Sequence, residues 1–222
     1  TKNIKFIIIH YTGMNSESKA IKRLTSVQSK VSCHYFIKRN GNIILMVPEI
    51  YIAWHAGKST WKNYKSLNKY SIGIEIQNRG LKFGYQNFTK HQISSLIKIS
   101  KYLMKKYKIN KKNILAHSDI SYNRKEDPGE KFPWKYLSKF KIGIWHNLNQ
   151  GKLLKLRKNK TNTYQEKKMF NYLKLFGYSL KKIGIKDKTK LIKAFQRRFR
   201  PDLINGKIDK ECLLIAEKIS KY

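Results

Sequence analysis

The chain has 222 residues, 41% of them hydrophobic with 14 Tyr and 10 Phe, enough for a core of ordinary size and a small second domain. Its 49 Lys+Arg against 13 Asp+Glu give a formal charge of +36. That leaves two readings: attraction to a polyanion such as nucleic acid or a wall polymer, or a compositional drift that also enriches Ile, Asn and Tyr. No apolar run is long enough to span a bilayer, and two cysteines, Cys33 and Cys212, cannot form a disulfide framework across two domains.

Taken in order, residues 5–10 read as a buried strand. Residues 16–29 carry Ala20, Ile21, Leu24 and Val27 at helical spacing. Residues 31–39 and 42–47 alternate around Asn40-Gly41, the strongest short-range hairpin signal. Residues 59–69 are polar and aromatic without a period, which predicts a loop over a site. Residues 71–77 predict another strand. Thr89, with Gln92 three residues later, caps a helix running to about Tyr107. Phe132-Pro133-Trp134 opens a short helical segment. Strands interleaved with amphipathic helices imply an α/β domain with one main sheet. The expected division is residues 1–148 as the first domain, 149–162 as a lysine-rich linker, and 163–222 as three short helices. The basic charge is spread over both parts, +21 in residues 1–150 and +15 in 151–222, whereas a nucleic-acid module would concentrate it.

Residues 116–129, Ala-His-Ser-Asp-Ile-Ser-Tyr-Asn-Arg-Lys-Glu-Asp-Pro-Gly, pack potential chemistry into a turn-rich stretch. His117 and Asp127 are ordinary zinc ligands, and a tetrahedral site needs a third from elsewhere. His10, ending a buried strand, is the natural donor. His34 in Ser32-Cys33-His34-Tyr35 is a competitor, although mid-strand placement before a hairpin favours a structural role. His91 and His146 read as surface residues. Glu75, between apolar strand residues, is costly unless it faces a cleft or a partner; alternation equally permits the solvent face of an edge strand. Lys125, two residues before Asp127, falls on the same side of an extended segment. It is either a stabiliser of developing negative charge or one more lysine in a lysine-rich chain.

Five motifs in one order, Ile7-Ile8-Ile9-His10-Tyr11-Thr12, Ser32-Cys33-His34-Tyr35, Ala53-Trp54-His55-Ala56-Gly57, Ser71-Ile72-Gly73-Ile74-Glu75-Ile76 and His117-Ser118-Asp119-Ile120 with Arg124 to Gly129, resemble the type 2 N-acetylmuramoyl-L-alanine amidases over about residues 4–145. This is the zinc amidase family of the AmpD and AmiD kind, which shares its fold with peptidoglycan recognition proteins. The resemblance implies a central mixed β-sheet flanked by helices. It implies one Zn2+ per chain on His10, His117 and Asp127, with Glu75 moving the proton and Lys125 steadying the oxyanion. His55, Trp54 and Arg124 are expected on the substrate side, Arg124 against a carboxylate or lactyl oxygen. Cys33 stands where related phage amidases and catalytic recognition proteins carry a tyrosine, which leaves more of the proton transfer to Glu75.

Residues 163–219, with Ala194-Phe195-Gln196-Arg197-Arg198-Phe199-Arg200-Pro201 and Asn205-Gly206-Lys207-Ile208-Asp209, resemble the three-helix peptidoglycan-binding domain, Asn205 replacing the usual first Asp. The implied activity is hydrolysis of the amide between N-acetylmuramic acid, or its 1,6-anhydro form, and L-Ala of the stem peptide, in cell-wall turnover or recycling. The expected partners are peptidoglycan or muropeptides and no nucleic acid, on a monomer without a transmembrane segment. The expected location is the bacterial cell envelope: the periplasm, with outer-membrane attachment through a removed N-terminal segment as one arrangement, and the cytoplasm as another. The alternative, a non-catalytic peptidoglycan-binding protein on the same fold, predicts loss of a zinc ligand; all three are present.

Overall fold

β1 (Phe6–Tyr11) pairs in parallel with β6 (Ser71–Ile76) on one side and with β7 (Ile114–Ala116), at the sheet edge, on the other. β2 (Tyr35–Ile37) joins β6 in parallel, and β3 (Ile43–Leu45) pairs antiparallel with β2 across the Asn40-Gly41 turn. The sheet order is β3-β2-β6-β1-β7, a mixed sheet as expected. The computed structural model describes residues 3–180 and 184–222. Ile7, Ile8 and Ile9 are all buried, because β1 sits inside the sheet with both faces covered. That is why this strand reads as a continuous apolar run.

Helix α1 (Glu17–Thr25) starts at Ser16, whose hydroxyl accepts from Lys19 N–H. Helix α2 (Lys90–Tyr107) opens with the expected capping box between Thr89 and Gln92. Its Ile93, Leu96, Ile99 and Leu103 are buried in the main core, and Gln92 Nε2 donates to Gln77 O at 2.7 Å, past the end of β6. The one-turn helix α3 (His117–Ile120) follows β7 directly, and α4 (Trp134–Lys139) follows the Pro133 turn.

Residues 59–69 are not a loop over the site. They form a small ribbon, β4 (Thr60–Trp61) against β5 (Tyr64–Lys65), and a 3-10 turn. Trp61 is fully buried between Phe176 and Tyr178, ring centroids 5.3 and 5.1 Å away. The stretch lacks a period because its partners lie more than 100 residues on.

The stretch expected as a linker contains helix α5 (Gln150–Arg157), capped by Asn149 and anchored by buried Leu153. One buried residue leaves no apolar stripe for a sequence pattern to reveal. Helices α6 (Thr163–Phe176), α7 (Ile185–Phe199) and α8 (Lys210–Ser220) follow, with α8 packed on α6 and α5. One apolar core contains residues from the sheet and from all four of these helices. His146, expected on the surface, is buried beside Trp145, accepts from Leu148 N–H through Nδ1, and is pushed down to about 4 by burial.

Candidate metal centre

In open α/β sheets, sites gather beyond the carboxyl ends of the parallel strands. Here His10 and Glu75 are the penultimate residues of β1 and β6, and β7 runs straight into His117. The register pairs His10 with Glu75 on adjacent strands, so both side chains leave the same face. On β6 that face is Ser71, Gly73 and Glu75, while Ile72, Ile74 and Ile76 turn to the other.

His10 Nδ1, His117 Nδ1 and Asp127 Oδ2 form a closed triangle with edges of 2.9, 3.0 and 3.1 Å. All three residues are buried. Hydrogen bonds cannot fill such a triangle, because an Nδ1–H can point at only one neighbour and the carboxylate has no proton. The outer nitrogens identify the tautomers. His10 Nε2–H donates to His55 Nδ1 at 3.0 Å, His55 Nε2–H donates to Ser71 Oγ at 3.2 Å, and Ser71 O–H donates to Leu67 O at 2.7 Å. His117 Nε2 lies 3.3 Å from Ala56 O, which accepts its proton in the tautomer that leaves Nδ1 free, and a longer 3.4 Å from Arg124 Nη2. Each proton is used once, and both Nδ1 lone pairs are left facing the Asp127 carboxylate. Two imidazoles and a carboxylate with converging lone pairs fit a divalent metal such as zinc. His10 is lowered to about 4 by burial and the neighbouring His117. For Asp127, burial alone would raise the carboxyl, but the adjoining His117 and His10 rings hold it well below the usual carboxylate range.

His34 does not join this set. Its Nδ1 accepts from Gly73 N–H at 3.0 Å and its Nε2 faces Tyr51 O at 3.2 Å, a structural role. His55 is placed behind His10 with its ring across Gly73, where any Cβ would overlap it; both its nitrogens are engaged in the chain just described. Arg124 turns its guanidinium to the backbone, donating to Lys58 O at 2.9 Å, Ser121 Oγ at 3.0 Å and Ala56 O. It therefore ties the Ala56 carbonyl to the turn after His117.

Above the triangle lies a cleft of about 480 Å³, lined among others by Trp54, Glu75, Arg124, Lys125 and Asp127. Glu75 Oε2 is buried with no hydrogen-bond partner among the described residues. Burial, reinforced by the Asp127 charge, pushes its carboxyl up to about 8, against the pull of Lys125. Trp54 is half exposed at the rim. Cys33 is buried, and burial raises its thiol well above the ordinary value.

Ser71, Gly73 and Asp119 were not singled out from the sequence, although Ser-x-Gly-x-Glu on one strand face marks a place where bulky side chains are kept out. Asp119, within α3, is buried. It accepts from Ala116 N–H at 2.8 Å, from Tyr178 O–H at 2.7 Å and from Arg198. The last two partners come from the C-terminal helical segment and carry no local signal.

A family profile described as N-acetylmuramoyl-L-alanine amidase matches residues 1–130. The chain is 36% identical to N-acetylmuramoyl-L-alanine amidase AmiD of Escherichia coli K12, over 99% of this chain and 83% of that protein. The structure of E. coli AmiD with anhydro-N-acetylmuramic acid-L-Ala-D-gamma-Glu-L-Lys superposes with a TM-score of 0.86 at 34% identity, covering 99% of this chain and 89% of that one. AmpDh3 from Pseudomonas aeruginosa with anhydromuramic pentapeptide gives 0.84 at 30% identity, covering 97% and 90%.

Proposed function

Because this chain belongs to the type 2 N-acetylmuramoyl-L-alanine amidases, we propose that it hydrolyses the amide joining N-acetylmuramic acid, or its 1,6-anhydro form, to L-Ala of a peptidoglycan stem peptide. The observation that carries this reading is the triangle of His10 Nδ1, His117 Nδ1 and Asp127 Oδ2 beneath a cleft that also holds the unpartnered Glu75 oxygen. Those three residues would hold one zinc per chain. Bound there, zinc supplies the Lewis acidity that makes water nucleophilic near neutral pH.

The remaining steps belong to the chain's own groups. Glu75 Oε2 takes the proton of the attacking water and returns it to the leaving nitrogen of L-Ala. Its raised pKa suits the second half of that task, and a cation among the three ligands offsets Asp127 and favours the ionised form needed for the first. Lys125, in the same cleft, stabilises the oxyanion as the carbonyl becomes tetrahedral. The chain from His10 through His55 and Ser71 to Leu67 O, and the Ala56 carbonyl on His117, keep each imidazole proton on Nε2. Trp54 offers an apolar rim to the substrate.

Anhydromuramyl peptides are the ligands named in the E. coli and P. aeruginosa complexes, and a cleft that carries Lys125, Arg23 and Lys82 suits their carboxylates. The same proposal gives residues 163–222 a role in holding peptidoglycan and places the protein in the bacterial envelope, where its charge of +36 favours anionic polymers. Incubation with anhydromuramyl tripeptide and with whole sacculi, read by mass spectrometry, tests it. Free peptide beginning with L-Ala is expected, lost on chelation and restored by zinc. An intact amide bond with zinc-loaded protein refutes it.

A further inference from the structure

The segment that carries His117 and Asp127 has little regular structure of its own, and one side of it is fastened by residues 178–179 and 190–198. Tyr178 O–H and Arg198 Nη1 both donate to the buried Asp119 carboxylate, whose Oδ2 also accepts from Ala116 N–H, next to His117. Arg198 Nη2 donates to Ile114 O at 3.1 Å, and its guanidinium lies 4.2 Å over the Trp134 ring. Tyr122 O–H donates to Ser179 O at 2.8 Å, Lys190 Nζ to Asn123 O at 2.9 Å, and Arg197 Nη2 to Glu126 at 2.9 Å, one residue before Asp127. On the other side, Lys62 N–H donates to Gly177 O at 2.7 Å.

We propose that Tyr178 and Arg198, acting through Asp119, are positioning residues for the metal centre: the C-terminal helices set the affinity of the His10–His117–Asp127 site in addition to any role in holding substrate. The proposal rests on the zinc reading above. The physical reason is that Asp119 is fully buried, so its charge can stay there only while Arg198 and the donors around it are in place. When they are, Asp119 fixes the start of α3, and with it the direction of the His117 ring. Without them, Asp119 is a buried carboxylate without its donors and must turn toward water, which moves the backbone that carries one ligand and lies beside the other.

The test uses the full chain. Zinc affinity is measured by chelator competition for wild type, Arg198→Lys, Tyr178→Phe and a control, Ile215→Ala, which opens a cavity on α8 where it packs against α6 and α5. Partners that orient metal ligands change affinity about 10–100-fold, so a loss in that range is expected for Arg198→Lys and of about tenfold for Tyr178→Phe, with Ile215→Ala near wild type. The d–d absorption of the cobalt(II)-substituted protein should shift in the first two and not in the control. Tyr178→Phe removes a single oxygen and decides the matter if Arg198→Lys does not fold. Changes below threefold in every folded variant, or an equal loss in the control, overturn the proposal. Failure of wild type to bind zinc would instead overturn the zinc reading itself.

Discussion

The metal centre is assembled by two unlike regions. One half is carried by the sheet: His10 and Glu75 sit side by side in the register of β1 and β6, where each position is fixed by ladder hydrogen bonds. The other half is carried by the turn-rich stretch from His117 to Asp127, held from outside by Tyr178 and Arg198 through its own Asp119. Backbone ladders place a side chain through regular local geometry. An irregular segment has no such ladder, and only buried side-chain contacts from remote chain can hold it to a fraction of an ångström. Strand-borne groups should therefore tolerate loss of the C-terminal contacts better than turn-borne ones.

The largest effects fall on the ligands, one from the sheet and two from the turn. His10→Ala, His117→Ala and Asp127→Ala should each abolish zinc binding, read as metal content of the purified protein, and amidase activity with it. Retention of zinc by His10→Ala together with its loss in His34→Ala would break the assignment of the sheet's contribution.

Glu75→Gln tests the second strand-borne group. Turnover should fall by about 10²–10⁴-fold with zinc content unchanged, and near-normal turnover at saturating substrate would reduce Glu75 to a strand residue. The same variant has a pH signature in metal-free protein. Folding raises the Glu75 pKa from 4.5 to about 8, so across that interval the native state holds a proton that the unfolded chain has released. The contribution of Glu75 to stability is therefore lost as pH rises through that window. Glu75→Gln lacks this loss. Its stability relative to wild type should rise with pH by at most about 1.4 kcal/mol per unit between those limits, measured by urea unfolding at pH 5 and pH 8. Parallel profiles for the two proteins would contradict the buried, unpartnered setting of this carboxyl.

Lys125→Met addresses the turn-borne cation. A loss of about 10²–10³-fold in turnover is expected with little change in zinc content, and a change confined to KM would make Lys125 a substrate contact. The smallest effect belongs to Gly73→Ala. Its new Cβ would overlap the His55 ring and displace the acceptor of the His10 Nε2 proton, so zinc affinity should weaken by about 10–100-fold. Unchanged affinity would show that His10 needs no support beyond its strand.

Much of the strand-borne half could be read before any fold was known. An unbroken Ile7-Ile8-Ile9 run ending in His10 states a central strand with a ligand at its edge, and Asn40-Gly41 and Thr89-x-x-Gln92 state a turn and a helix start through local hydrogen bonding alone. The residue types of His117 and Asp127 point to a metal site for the same reason, since lone pairs and charges are intrinsic to side chains; the hydrolytic reading and the role of Lys125 come with the family resemblance. What no local rule contains is the partner of each. His55 became a support for His10 because Gly73 leaves room for its ring. Arg124 turned to Ala56 and Lys58 because the fold brings those carbonyls beside it, and residues 59–69 closed over Phe176 and Tyr178 instead of over the cleft. The helix inside the expected linker and the Arg198–Asp119 pair were likewise decided by tertiary structure, because burial and long-range pairing are properties of the folded chain and leave no period or spacing in the residues that will meet.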